Sequence, residues 1–124
     1  QPFVSAEEIF AAYRAELSTC EQETFWVLLM NQRNRVLRTL QIAKGSINRC
    51  PVTAQDVFGP ALREKAVRMI LMHNHPSGDP TPSPEDRSLT RRFQHIAALS
   101  GIEILDHIVF GEGQFVSFAD KGWI

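Results

Sequence analysis

The 124-residue sequence has little net charge, few cysteines and no long hydrophobic run. Its 13 lysines and arginines nearly balance its 14 aspartates and glutamates, so the formal net charge is −1. A chain so close to neutral has no overall field that attracts nucleic acids or anionic membranes, and such binding would require a local patch of charge. No apolar segment approaches the roughly 20 residues that a transmembrane helix needs. The hydrophobic content of 44% is typical of a globular domain.

Cys20 and Cys50 are the two cysteines, and they fit no Cys-x-x-Cys pattern. A domain of this length can bury an adequate core without a cross-link, so we expect two reduced thiols in a cytoplasmic protein, with a disulfide as the alternative. The sequence begins Gln-Pro-Phe-Val, which is neither an initiator methionine nor a signal peptide. We therefore expect a fragment of a longer chain, folded as a single domain over residues 1–124.

Hydrophobic periodicity and capping signals predict three helices and five strands. The helices are expected at about 6–18, 53–65 and 84–100, and the strands at about 23–30, 35–45, 66–73, 102–110 and 114–118. The segments "NQRN" and "GEG" predict the turns of two hairpins. The order α-β-β-α-β-α-β-β indicates an α/β domain with a mixed β-sheet flanked by helices.

Two histidines at the end of one predicted strand are the first candidate functional residues. Side chains alternate along a strand, so His73 and His75 point to the same face and Asn74 to the other. On a helix the two rings would diverge by about 200°. Pro76 also disfavours helical backbone at His75. A single histidine here would more often be structural, but two on one face favour a metal site.

The third ligand of such a site is expected from the acidic residues that follow. Asp79, Glu85 and Asp86 are the local candidates. Asp86 lies three residues after Ser83, so it could instead complete a capping box or favour the helix dipole. Two imidazoles and one carboxylate leave a position open for water, which is typical of catalytic zinc sites, although other divalent ions also suit these ligands.

The spacing of His73, His75, Pro76, Ser83 and Asp86 matches the pattern H-x-H-P-x6-S-x2-D. This pattern resembles the signature of the JAMM (MPN+) metalloprotease family. The longer run "HNHPSGDPTPSPEDRSLT", together with "GSIN" at 45–48 and "GIEILDHIVFGEGQFVSF", resembles the branch of the bacterial DNA repair protein RadC and its relatives. The resemblance covers nearly the whole chain and implies a JAMM/MPN-type αβα sandwich similar to cytidine deaminases.

The resemblance also implies roles for the matching residues. His73, His75 and Asp86 correspond to the ligands of one zinc ion. Ser83 corresponds to a hydrogen-bond donor near the carbonyl oxygen of the substrate. The implied function is that of a zinc-dependent hydrolase that cleaves a peptide or isopeptide amide with a metal-activated water, in a protein linked to DNA repair.

The family's general-base glutamate lies early in the first strand, which selects Glu23. Glu21 is the competitor, but it lies in the turn expected before that strand. Judged from the residues alone, Glu23 would be a solvated carboxylate at a strand start. RadC relatives usually carry a helix-hairpin-helix segment ahead of this domain, and nothing here looks like one, so we expect no role that depends on it.

Two further pairs of residues have a functional and a structural interpretation. Arg87 and Arg91 lie four apart on one helix and could bind phosphates or an acidic peptide, but a solvated helix surface is favoured. Asp106 and His107 could accept hydrogen bonds from metal-bound imidazoles, or they could be buried structural groups.

Two other functions remain open from the sequence. The first is a nucleic-acid-processing or DNA-binding module, suggested by the RadC branch and the two arginines. The near-neutral charge and the lack of interleaved basic and aromatic residues argue against it, so we expect weak nucleic-acid binding and a peptide or protein as the partner. The second is a metal-bearing scaffold that binds partners without turnover.

Overall fold

The computed structural model describes residues 5–45 and 52–124. Within these residues, every predicted helix and strand is present and lies within two residues of its expected bounds. The elements are α1 (Ala6–Leu17), β1 (Thr24–Met30), β2 (Val36–Lys44), α2 (Ala54–Arg63), β3 (Arg68–Asn74), α3 (Pro84–Leu99), β4 (Glu103–Phe110) and β5 (Phe115–Ser117).

Each helix begins at a polar residue whose side chain accepts a backbone hydrogen bond from the first turn. Ser5, Thr53 and Ser83 are these N-caps. Such caps satisfy amide groups that have no partner within the helix. They therefore determine where each loop ends and each helix begins.

The five strands form one mixed sheet in the order β2-β1-β3-β4-β5. The β3 and β4 strands are parallel and are connected through α3, whereas the other neighbouring pairs are antiparallel. This architecture confirms the predicted α/β fold of the JAMM/MPN type. At the edge of the sheet where β3 ends, His73 lies opposite Phe25 of β1 and Val109 of β4.

Helices cover both faces of the sheet, and β3 contributes to both layers of the core. Met69 and Leu71 belong to the cluster on the side of α2 and α3, whereas Ile70 and Met72 belong to the cluster on the side of α1. The alternation continues to the strand end, so His73 lies in the layer of α3.

Two expectations about the cysteines and the membrane can be compared with the structure. Cys20 is a free thiol, and Cys50 lies outside the described residues, as do residues 46–48 of the "GSIN" segment. In the ranges 5–45 and 52–124, no helix has the length and apolar character needed to cross a membrane.

Candidate metal centre

Three side-chain atoms form a nearly equilateral triangle at the C-terminal end of β3. His73 Nε2 lies 3.1 Å from His75 Nε2, and Asp86 Oδ2 lies 3.2 Å from each of these nitrogens. A tetrahedral zinc ion with bonds of roughly 2.0–2.1 Å holds neighbouring donor atoms about 3.3–3.4 Å apart. The three donors therefore have both the chemistry and the spacing for one face of such a site.

Glu23 completes a cluster of four potential ligands around this triangle. One ligand atom from each of Glu23, His73, His75 and Asp86 lies within 4.8 Å of the others. The structure thus brings together the three predicted metal ligands and the predicted general base from three separate parts of the chain. Glu21 is exposed and lies outside this cluster.

The His75 ring is oriented by the loop that follows β3. Its backbone N–H donates to Phe110 O at 2.9 Å and extends the parallel pairing beyond the strand. Its ring Nδ1 lies 2.9 Å from the backbone oxygen of Asp79. The carboxylate of Asp79, one of the candidate ligands, instead accepts hydrogen bonds from the backbone and hydroxyl of Thr81. Asp79 therefore supports a ligand through its backbone.

The loop requires glycine where it packs against the hairpin between β4 and β5. A Cβ placed on Gly111 would clash with the backbone oxygen of Gly78 and lie 2.8 Å from Pro80 Cδ. The N–H of Glu112 donates to that same Gly78 oxygen at 2.9 Å. The close approach of two backbones therefore holds the loop that carries His75 and Asp79.

Asp86 performs the two roles that the sequence offered as alternatives. Its Oδ2 atom accepts from the Ser83 N–H at 2.9 Å, and the Ser83 Oγ accepts from the Asp86 N–H at 3.1 Å, which completes a capping box. The same Oδ2 atom faces both histidines. Burial acts to raise the pKa of the Asp86 carboxyl, but the neighbouring rings of His73 and His75 outweigh it and hold that pKa well below its usual value. The cap therefore orients a carboxylate that is already ionised.

The candidate ligand Glu85 and the predicted oxyanion donor Ser83 both lie at the start of α3. Glu85 is exposed and lies outside the four-residue cluster. The Ser83 hydroxyl accepts its capping hydrogen bond, and no contact among the described residues uses its hydrogen. That hydrogen is therefore available for donation to another group.

Glu23 lies immediately before β1 and is partly buried. Burial raises the pKa of its carboxyl, and the nearby His73 and His75 rings offset part of that shift. Asn74 holds the residues on both sides of Glu23: its Oδ1 accepts from the Thr24 N–H at 2.7 Å, and its Nδ2 donates to Gln22 O at 3.0 Å. The side chain between the two histidines thus points to the opposite layer and secures the segment of the predicted base.

A buried chain of polar contacts lies behind His73. Its Nδ1 lies 2.7 Å from His107 Nε2, and His107 Nδ1 lies 2.5 Å from Thr90 Oγ1. Burial lowers the pKa of His107 well below its usual value. The sequence pointed to His107 as a possible partner of a ligand but missed Thr90, as it missed the role of Asn74, because neither contact has a local sequence signal.

Asp106 has the structural role that the sequence left open. Its carboxylate accepts hydrogen bonds from the Ser117 hydroxyl and from the backbone N–H groups of His107 and Ala119. It therefore connects β4 to the end of β5 and to the turn that follows it. None of its described hydrogen bonds involves a candidate ligand.

The two helix arginines lie on the exposed surface of α3. The guanidinium of Arg87 stacks over the Trp123 ring at 4.1 Å from its centroid. Arg91 is exposed to solvent. Arg87 therefore already has an aromatic partner within the chain.

Comparisons with known proteins agree with this architecture. A family model described as "RadC-like JAB domain" matches residues 3–123. The chain is similar to UPF0758 proteins of Geotalea uraniireducens (45% identity) and Pelobacter propionicus (43% identity), each over 120 residues, which are 97% of this chain and 53% and 52% of those proteins. A UPF0758 protein of Clostridium botulinum is 38% identical over 121 residues, which are 98% of this chain and 53% of that protein. The chain thus spans about half the length of the curated relatives that it matches.

Proposed function

Because the chain belongs to the RadC-like JAB domain family, we propose that it is a zinc-dependent hydrolase domain that cleaves a peptide or isopeptide amide bond. The observation that carries the proposal is the triangle formed by His73 Nε2, His75 Nε2 and Asp86 Oδ2, with edges of 3.1–3.2 Å and the Glu23 carboxylate beside it. Structural zinc sites usually have four protein ligands, whereas three ligands with an adjacent acid–base group are typical of hydrolytic sites.

His73, His75 and Asp86 would hold one zinc ion per chain. Two neutral imidazoles and one carboxylate suit zinc, and the ionised state of Asp86 supplies negative charge without requiring proton loss at neutral pH. When bound, the ion supplies Lewis acidity that brings the pKa of a water towards about 7. The capping box and the contact of His75 Nδ1 with Asp79 O keep two of these ligands oriented.

Glu23 would act as the general base. A base works best when its pKa approaches the operating pH, and partial burial raises that of Glu23 in this direction. Its carboxylate would accept the proton of the attacking water and then donate it to the leaving amine. Since Asn74 holds the residues on both sides of Glu23, the base is positioned by the same strand end that carries the histidines.

Ser83 would stabilise charge on the substrate. Its hydroxyl accepts a hydrogen bond from the Asp86 N–H, and no contact within residues 5–45 and 52–124 uses its hydrogen. Donation to the carbonyl oxygen of the amide would strengthen as that oxygen becomes negative, which lowers the barrier. The N-terminus of α3 beside Ser83 carries a partial positive charge, which would also stabilise a negative oxygen on the substrate.

The choice of an amide bond comes from the family resemblance, because the ligand set alone serves phosphodiester hydrolysis equally well. A peptide or protein substrate, a link to DNA repair and a cytoplasmic location are parts of the same proposal. The formal net charge of −1 supports weak rather than strong phosphate binding by this chain.

The test measures zinc content and hydrolysis together. Purified chain is assayed on a library of peptides and isopeptide-linked conjugates, and on branched and single-stranded DNA, with and without chelator. We expect about one zinc per chain and chelator-sensitive cleavage of an amide substrate. Cleavage of DNA alone would replace the proposal with a nucleic-acid-processing function. Bound zinc without turnover on any substrate would favour a scaffold.

A further inference from the structure

We propose that Thr90 and His107 are positioning residues that set the tautomer of His73, so that its Nε2 presents a lone pair to the metal. The proposal rests on the metal site proposed above and adds two residues that do not themselves face the ion. It is carried by the directions of three buried hydrogen bonds.

The first of these hydrogen bonds joins Thr90 to the backbone of Asp86. Its carbonyl oxygen can only accept, and Thr90 Oγ1 donates to it at 2.9 Å. A threonine hydroxyl has a single hydrogen, so the same Oγ1 must accept at its other short contact, 2.5 Å from His107 Nδ1. His107 therefore carries its hydrogen on Nδ1.

The ring of His107 connects Thr90 to His73 through its two nitrogens. The ring is fully buried, stacks on Phe118 at 4.5 Å and meets the edge of Phe25. Among the described residues, its two nitrogens contact only His73 and Thr90, and neither partner is a carboxylate. A buried imidazole without a carboxylate partner is neutral, with one donor and one acceptor nitrogen. Since Nδ1 donates to Thr90, Nε2 accepts from His73 Nδ1 at 2.7 Å.

The consequence for His73 is a hydrogen on Nδ1 and a lone pair on Nε2. That lone pair faces the same point as His75 Nε2 and Asp86 Oδ2. His75 reaches the same tautomer by a simpler route, because its Nδ1 contacts the backbone oxygen of Asp79, which can only accept. All three facing atoms are then electron-pair donors, as a bound cation requires.

The contrast between the two histidines explains why Thr90 is needed. A carbonyl partner leaves no choice of tautomer, but an imidazole partner can donate or accept. If His107 donated from Nε2, His73 would carry its hydrogen on Nε2 and could not bind the ion. The Thr90 hydroxyl, anchored to the backbone of Asp86, removes this ambiguity.

The first test reads the tautomers by NMR. Long-range proton–nitrogen spectra of histidine-labelled chain are recorded in the metal-free and zinc-loaded states. We expect His107 to carry its hydrogen on Nδ1 alone in both states. A hydrogen on His107 Nε2 would overturn the proposal. This measurement does not depend on hydrolysis. If the chain bound no zinc, the proposed function would fail, but the metal-free spectrum would still show which nitrogen of His107 carries the hydrogen.

The second test compares two matched substitutions at Thr90. Thr90→Val keeps the shape but removes the hydroxyl, and Thr90→Ser keeps the hydroxyl. Zinc affinity is measured by competition with a chromophoric chelator, and circular dichroism checks the fold. We expect Thr90→Val to weaken zinc binding about 10–100-fold and Thr90→Ser to stay within about threefold of the parent. Equal losses in both variants, or none in Thr90→Val, would contradict the proposal.

A second pair of variants keeps the test decisive if Thr90→Val does not fold. His107→Gln offers a side-chain oxygen that can accept from His73 Nδ1, whereas His107→Leu offers none. We expect His107→Gln to retain more zinc affinity than His107→Leu, by about tenfold. Equal affinities would mean that His107 serves only packing.

Discussion

Asn74 Oδ1 accepts two hydrogen bonds from Thr24, one from its backbone N–H at 2.7 Å and one from its hydroxyl at 2.6 Å. Asn74 lies between the two histidines of the candidate metal centre, but its side chain points to the other layer. The same strand end therefore presents the ligands on one face and holds the segment of the predicted base from the other.

Asn74→Ala should lower both stability and hydrolysis. The substitution leaves the buried Thr24 N–H without its partner, so the free energy of unfolding should fall by roughly 1–3 kcal/mol. Zinc content should stay near that of the parent, because neither histidine loses a contact, while turnover falls as Glu23 loses its support. Denaturant unfolding and zinc analysis check this, with the exposed Gln55→Ala as the control. Unchanged turnover would show that Glu23 does not depend on Asn74.

His73→Ala and Asp86→Asn should each reduce bound zinc from about one per chain to well below half. Asp86→Asn is the sharper variant, because an asparagine oxygen can still accept from the Ser83 N–H and preserve the cap. Asp79→Ala and Glu85→Ala should keep full metal content, since neither carboxylate faces the triangle. Zinc analysis after dialysis checks all four. If Asp86→Asn keeps its zinc while Asp79→Ala or Glu85→Ala loses it, the ligand assignment is wrong.

Glu23→Gln should show whether Glu23 is a general base or a metal ligand. The amide keeps the shape but cannot accept the proton, so zinc should remain bound while turnover falls by roughly two to four orders of magnitude. Glu21→Gln is the matched control and should leave turnover unchanged, because Glu21 is exposed outside the cluster. If Glu23→Gln lost its zinc, Glu23 would be a metal ligand instead.

The stability of the metal-free chain should depend on the protonation of His75. Its hydrogen bond with Asp86 raises the pKa of His75 above 6.5. A group with a raised folded-state pKa contributes stability that is complete below its unfolded value and is lost as the pH rises through the folded value. The destabilisation caused by His75→Ala in chelator-treated protein should therefore shrink as the pH rises above 6.5 and passes through the raised folded-state pKa. Urea unfolding at several pH values measures the difference in free energy of unfolding between the parent and His75→Ala, with the exposed His95→Ala as the control. A difference that grows with pH would contradict the expectation.

Duplex DNA should bind weakly at physiological salt. The chain has a formal net charge of −1, so few phosphates can be neutralised. Fluorescence anisotropy with a labelled duplex checks this. Submicromolar affinity that disappears when Arg87→Ala and Arg91→Ala are combined would support the nucleic-acid alternative.

Much of the fold and part of the site could be predicted because their signals are local. The alternation of side chains along β3 is enough to place His73 and His75 on one face. The Ser83 cap and the spacing to Asp86 depend on a single turn of helix. Such patterns are complete within a few residues, so they can be recognised without knowing the packing of the chain.

The remaining relationships needed the tertiary structure. His73 meets His107 across 34 residues of sequence, and Thr24 meets Asn74 across 50, because β3 pairs with both β4 and β1. The sequence offered capping and metal binding as alternatives for Asp86, but the packing of α3 over the strand end lets one oxygen serve both. By itself the sequence determined which side chains share a face; only the order and register of the strands decided which of them touch, since those depend on burial across the whole sheet.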